Sequence, residues 1–470
     1  MGVDIILKKD SIKILIPSIY LLFSISSCYS DKSIETTDKP AISSSSQDNI
    51  VTTEDTVIRF AVSGDNGNIN KAVKKFNEAD NGYIVELVYY NQNTDESDSL
   101  NITDFELVQD IINTSDIDII TGYSFIEEAN YKNLQQKGAF ADLYQFMEND
   151  TEINTQTLNS HVLQLNEIDG KLFSIPTFYT ANTLIGNPEY VGTEENWTID
   201  ELIDYWRQMP DNATINQART KECTYYTLLR NNLELYIDCE KGIVNFDCED
   251  FRKALAFCNK FEYNNQQKTE YDYEAEDFCS DCSITSFQSI ATYDVGNDKP
   301  KVTFVGYPSY SNSGAYLRAW GDSFSISVKA DENRKKGAWE FIRTFFSEEW
   351  QEENVLSYHD RTSDYATQNA FCMNKKALEN IKNNTVNKKY SPPTYESKGE
   401  TFTTYFPTIE DCNALEDYLN SINRWEVHTY EDVSLIVEEE AFAYFAGEIS
   451  IDECIERIQN RTSIWISEKS

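Results

Sequence analysis

Val57-Ile58-Arg59-Phe60-Ala61-Val62, then Ser63-Gly64-Asp65-Asn66-Gly67-Asn68, then apolar residues at Ile69, Ala72, Val73 and Phe76, then Tyr83-Ile84-Val85-Glu86-Leu87-Val88-Tyr89-Tyr90: this stretch decides the fold. The first and last runs are rich in β-branched and aromatic side chains, which suit a pleated, buried surface. Gly and Asn between the first run and the helix mark a turn. Apolar spacings of three and four from Ile69 to Ala79 are the period of one helix face. Strand, helix and strand within about 35 residues make a βαβ unit, which joins parallel strands by a right-handed crossover.

The alternation continues downstream. Residues 105–113 read as a helix and Ile117-Asp118-Ile119-Ile120 as a short strand. Gly122-Tyr123-Ser124 follow its carboxyl end, where α/β proteins place ligands. Asp169-Gly170 between extended runs is a hairpin turn. Thr198 followed by Glu201 is a capping box opening a helix. Residues 303–306 and 321–328 read as strands, 334–346 as a helix, and 430–466 as two helices broken at Gly447. Trp197, Trp206, Trp339, Trp350 and Trp465 lie in or beside helical patterns and read as core. No internal repeat is visible, and the fold class is α/β.

A chain of 470 residues exceeds what one hydrophobic core usually serves, so two lobes are expected. A net charge of −39 repels phosphate backbones, and no basic cluster opposes it, which excludes nucleic acid as a partner. At the amino end, Lys8, Lys9 and Lys13 precede an apolar run from Ile14 to Ile25, then Ser26-Ser27-Cys28. That is the layout of a secretory signal. The small residues before Cys28 resemble the bacterial lipobox, which implies acylation of Cys28 and a protein tethered at the outer face of the membrane. The apolar run is shorter than the roughly 20 residues that spanning requires. Residues 29–55 are polar and read as a flexible tether.

Nine further cysteines remain, an odd number, whereas exported proteins normally use pairs. Cys279-Ser280-Asp281-Cys282 has redox-motif spacing but follows a loop-like run, and reads as a structural bridge or as free thiols. His161, His359 and His428 are scattered, so neither a zinc site nor any other metal or cofactor is expected.

Taken in order, these segments resemble the extracellular solute-binding proteins of sugar ABC importers, the maltose-binding-protein-like family. The resemblance is carried by 57–67 with Lys74-Lys75-Phe76, by Asp118-Ile119-Ile120, and by Asp169-Gly170-Lys171-Leu172-Phe173-Ser174-Ile175-Pro176. It continues in Phe304-Val305-Gly306-Tyr307-Pro308, Ser323–Ser327, Gly337-Ala338-Trp339-Glu340-Phe341 and the tail from Glu439 to Trp465. It implies two α/β lobes joined by crossing strands: a signal over 1–28, a tether over 29–55, one lobe from 56–180 and 322–375, the other from 181–321 and 376–470. It also implies a monomer that holds an oligosaccharide in the interlobe cleft, hands it to the transmembrane permease of an ABC transporter, and touches the membrane through its lipid anchor alone.

A sugar offers hydroxyls to polar side chains and C–H faces to aromatic rings. By resemblance the contacts fall on Asp65 and Asn66, on Thr121, Tyr123 and Ser124, on Tyr179 and Thr180 at the first crossing, on Tyr293 and Asp294, and on Trp320 and Asp322 at the return crossing. Each residue also has a structural reading: turn geometry for Asp65 and Asn66, packing for Tyr123, Tyr179, Thr180 and Trp320, loop filler for Tyr293 and Asp294. Three functional alternatives stay open: the same fold holding a polyamine or peptide, a binding protein feeding a sensor, and a secreted glycoside hydrolase. The last needs two carboxylates facing each other across a cleft. The sequence has no Gly-x-Ser-x-Gly elbow, His-Glu-x-x-His helix or Walker loop to suggest other hydrolytic chemistry.

Overall fold

The computed structural model describes residues 55–469 apart from 63–65, 91–109, 112, 123–127, 187, 210–212, 217–218, 239–240, 263–276, 290–301, 310–313, 359–365, 391–393, 398–399, 404–405 and 427–430. The opening βαβ unit forms as its pattern demands. Strand β1 (Thr56–Val62) pairs in parallel with β2 (Tyr83–Tyr89) on one side and with β3 (Ile119–Gly122) on the other. The intervening helix, Gly67–Asn77, buries Ile69 and Phe76. Alternation along β1 sends Phe60 against Phe341 of the helix Glu332–Ile342, while Ala61 faces Tyr131 and Phe140 on the opposite layer.

Two short hairpin strands, β4 (Glu167–Ile168) and β5 (Lys171–Leu172), meet at Asp169-Gly170, both with positive φ, the left-handed pair of a tight hairpin turn. They lead into β6 (Ile175–Gly186), buried along all 12 residues. Beyond it come β7 (Thr214–Ile215), a hairpin of β8 (Ile237–Asp238) and β9 (Ile243–Val244), then β10 (Asp277–Ile284), β11 (Thr303–Phe304) and β12 (Tyr316–Ile326). A hairpin of β13 (Leu356–Tyr358) and β14 (Ala366–Gln368) precedes β15 (Phe371–Cys372). One sheet threads the molecule in the order β2-β1-β3-β12-β6-β10-β7, with β11 and β15 also bonded to β6.

Strands β6 and β12 tie this sheet together. The end of β12 pairs with β3, and its residues 316–324 run antiparallel to β6. Their register shifts between Trp320↔Phe178 and Ser323↔Pro176, so that Gly321 and Asp322 both lie opposite Thr177. This is a bulge with glycine at φ +79°. A Cβ at Gly321 would lie 2.8 Å from Thr177 Oγ1, the hydroxyl that donates to the Trp320 carbonyl at 3.3 Å. Gly321→Ala therefore loses about 1–2 kcal/mol to the left-handed backbone alone. A lowered melting temperature is the expected result; an unchanged one would mean that the bulge relaxes freely.

The apolar residues divide into a first core built on β1, β3, β6 and β12 and a second built on residues 184–316 with the C-terminal helices. Residues 376–422, expected in the second lobe, depart from that expectation. Ala377, Leu378 and Ile381 of the helix Lys375–Val386, and Cys412, Leu415, Tyr418 and Leu419 of Ile409–Ser421, join the first core. Their apolar faces cover the back of β6, where Tyr418 shares a hydroxyl hydrogen bond with Thr183 at 2.7 Å. Only the paired helices Glu431–Phe445 and Ile451–Lys469 belong with the second core.

Cys279 and Cys282 lie on β10, not on a loop. Three residues apart on a strand they face opposite layers, Cys279 toward the second core and Cys282 toward the first, and each remains a thiol. The other described cysteines are thiols as well, and burial pushes those of Cys412 and Cys454 up to about 12. Among the described residues, no helix is long and apolar enough to cross a membrane.

Candidate functional site

Strand alternation assigns each residue of the crossing to one of two faces. On β6 the odd positions turn back toward the helical layer. Tyr179 packs its ring on Phe371 at 5.6 Å, and its hydroxyl accepts from Asn159 Nδ2 at 3.1 Å. Tyr179 is 2% exposed, so the expectation that it lines a cleft is corrected: it is core, because its parity points it away from the open face.

The even positions Thr180 and Asn182 share the opposite face with their partners Arg318 and Tyr316 on β12, whereas Phe178, opposite Trp320, is buried with its ring stacked on Trp350 at 5.6 Å. Ser283 of β10 stands opposite Asn182 and donates to its Oδ1 at 3.3 Å. Asp281, opposite Leu184, accepts a hydrogen bond from the Tyr307 hydroxyl. The Tyr307 ring stacks on Tyr316 with centroids 5.7 Å apart. Trp320 is 46% exposed, a large apolar surface left open on a strand flanked by two cores.

A third connection borders this face. Leu317 N donates to Arg424 O at 2.9 Å, and Glu426 N donates to Leu317 O at 2.6 Å. Leu317 and Trp425 are bridged partners, so Arg424 and Glu426 share the face of Tyr316 and Arg318. Glu426 Oε2 accordingly lies 3.1 Å from Arg318 Nε. Arg424 is buried and donates to Asn232 Oδ1 at 2.8 Å, to Gly314 O at 2.9 Å and to Asn231 O at 3.1 Å, beside the Glu234 carboxylate.

The expected site residues fare unevenly. Trp320 lies on the open face, and Thr180 is buried beneath it. Asp322 is half-buried in the bulge with no hydrogen-bonding or charged partner among the described residues, and burial pushes its carboxyl up to about 6. Asn66 serves as a helix cap, its Oδ1 accepting from Asn68 N at 3.0 Å and Ile69 N at 3.3 Å. Thr121 is buried on β3 opposite Phe324, whose ring belongs to the first core. Asp65, Tyr123, Ser124, Tyr293, Asp294 and Cys28 lie outside the described residues.

The sequence reading missed Arg318, Asn182, Ser283, Asp281 and Glu426. A signal existed: Tyr316, Arg318 and Trp320 alternate with Ala315, Leu317 and Ala319, a two-residue period with one polar-aromatic face. The face combines a stacking platform with amide, hydroxyl, guanidinium and carboxylate groups, the mixture that holds a polar solute with apolar faces. A separate hollow of about 680 Å³ lies between Tyr144, Asn154 and Gln164, away from the crossing strands. Among the described residues, no three His, Cys, Asp or Glu side chains converge as metal ligands.

The family model of the bacterial extracellular solute-binding proteins matches residues 71–363, a span that includes both β6 and β12. The chain belongs to this family. Solved structures of similar fold include a periplasmic oligogalacturonide binding protein from Yersinia enterocolitica (TM-score 0.55, 14% identity, 88% of this chain and 99% of that one). An extracellular solute-binding protein of family 1 from Alicyclobacillus acidocaldarius aligns with TM-score 0.54 and 11% identity over 88% of this chain and 100% of that one. The sugar-binding protein MalE from Xanthomonas citri aligns with TM-score 0.52 and 12% identity over 88% and 98%. No curated protein matches the chain by sequence. This solute-binding protein thus has the two-lobed α/β fold of its structural neighbours, and its open polar-aromatic face lies on the strands that join the lobes.

Proposed function

We propose that this solute-binding protein captures a carbohydrate, an oligosaccharide, at the face of the crossing strands and passes it unaltered to an ABC importer permease. The observation that carries this reading is the exposed Trp320 ring on β12, set between Arg318 and Asp322. An indole plane accepts the C–H face of a pyranose, while neighbouring charged and amide groups exchange hydrogen bonds with its hydroxyls. Contacts from both lobes would favour a closed form that the permease recognises. In this reading Cys28 carries the lipid, 29–55 is the tether, and the protein works as a monomer at the outer face of the membrane. In the same reading the segments 63–65, 123–124 and 290–301 supply Asp65, Tyr123, Ser124, Tyr293 and Asp294 to the rim.

Calorimetry of the purified mature protein against neutral, aminated and acidic oligosaccharides, with chromatography of the recovered solute, tests this. Reversible binding of a saccharide returned intact is the expected result. A hydrolysis product, or binding of a polyamine or peptide in place of every sugar, would overturn it.

A further inference from the structure

The crossing strands place a fixed ion pair at the proposed cleft. Arg318 sits on the open face between Tyr316 and Trp320, with its side chain 36% exposed; Glu426 beside it is 16% exposed. Their meeting is set by backbone register, because hydrogen bonds from the 424–426 segment to Leu317 hold Glu426 on the face that Arg318 shares. A pair partly withdrawn from water is screened less than one on an open surface.

We propose that Glu426 excludes acidic sugars from the cleft by matching the charge of the Arg318 guanidinium, the group that would otherwise draw a sugar carboxylate. This rests on the carbohydrate reading above and specifies the class of saccharide. A free guanidinium binds a carboxylate through two parallel hydrogen bonds, whereas one already facing Glu426 has its charge matched. The same strands add Asp281 and Asp322. A uronate therefore enters a field of its own sign. A neutral sugar meets none of this, and its hydroxyls find acceptors on Glu426 and donors on Arg318. Neutral oligosaccharides are the class the cleft takes.

The test measures binding of maltotriose, cellotriose and trigalacturonate to the wild type and to Glu426→Gln, which preserves side-chain shape and the backbone hydrogen bond. In the wild type, trigalacturonate binds at least tenfold more weakly than the better neutral trisaccharide. Glu426→Gln strengthens trigalacturonate binding about tenfold, the scale of one hydrogen bond to a charged group. The neutral trisaccharides gain no affinity from the substitution. The gain fades in 0.5 M salt and disappears when Arg318→Gln is added. Equal affinity for acidic and neutral trisaccharides in the wild type would overturn the proposal. So would a Glu426→Gln protein of unchanged melting temperature that gains nothing for the acidic probe. A wild type that binds no saccharide in the wider panel brings down the carbohydrate reading itself, an outcome distinct from either of these.

Discussion

Trp320→Ala weakens saccharide binding by at least thirtyfold and leaves the melting temperature close to that of the wild type. The ring is nearly half exposed in the unliganded chain, so its removal takes away little packing. Covering it with a pyranose face buries apolar area and adds the interaction of C–H groups with the π surface. Tryptophans at the centre of a binding patch typically cost about 2 kcal/mol or more when truncated, which corresponds to about thirtyfold. A second readout separates this role from a structural one. Trp197 and Trp339 are buried, and Trp206, Trp350, Trp425 and Trp465 are partly covered by the cores. Ligand-dependent fluorescence quenching therefore resides mainly in Trp320 and vanishes with it. Undiminished affinity together with retained quenching would remove Trp320 from the site.

Arg424→Met destabilises the protein by about 3–5 kcal/mol, the usual cost of deleting one partner from a buried ionic cluster. The guanidinium joins the 424–426 segment to Asn232, Gly314 O and Asn231 O, with Glu234 supplying the counter-charge. Burial pulls its pKa down to about 10, and it remains charged at neutral pH. Asn232 is itself buried and donates to Tyr307 O and Pro308 O, both at 3.1 Å. Loss of Arg424 leaves Glu234 uncompensated and strands the Asn232 side-chain carbonyl. Melting temperature falls by several degrees, and amide exchange quickens first in residues 230–236 and 307–309. A variant as stable as the wild type, with unchanged exchange there, would show that the cluster contributes no net stability.

Much of the fold is legible in the sequence. The βαβ opening, the Asp169-Gly170 hairpin, the Thr198–Glu201 capping box and the paired C-terminal helices all depend on interactions within a few residues. Such local chemistry leaves a local pattern. Tyr179 and Thr121 show where that reasoning stops. Both are polar residues at the expected places in the chain, yet strand parity turns Tyr179 into the core and burial closes off Thr121. Asn66 is a related case, since the same Asx chemistry that suits a ligand also suits a helix cap.

What the chain determined by itself was its alternating element order, its helices and its turns, because spacing and capping require no distant partner. The tertiary structure alone decided which side chains share the open face. Phe178 against Trp320, Leu317 against Trp425 and Arg318 against Glu426 are neighbours separated by more than 100 residues in sequence. Their meeting is set by the one-residue bulge at Gly321 and by the register of three strands. A shift of one residue in either would turn Trp320 and Arg318 into the core and present Ala319 and Leu317 in their place.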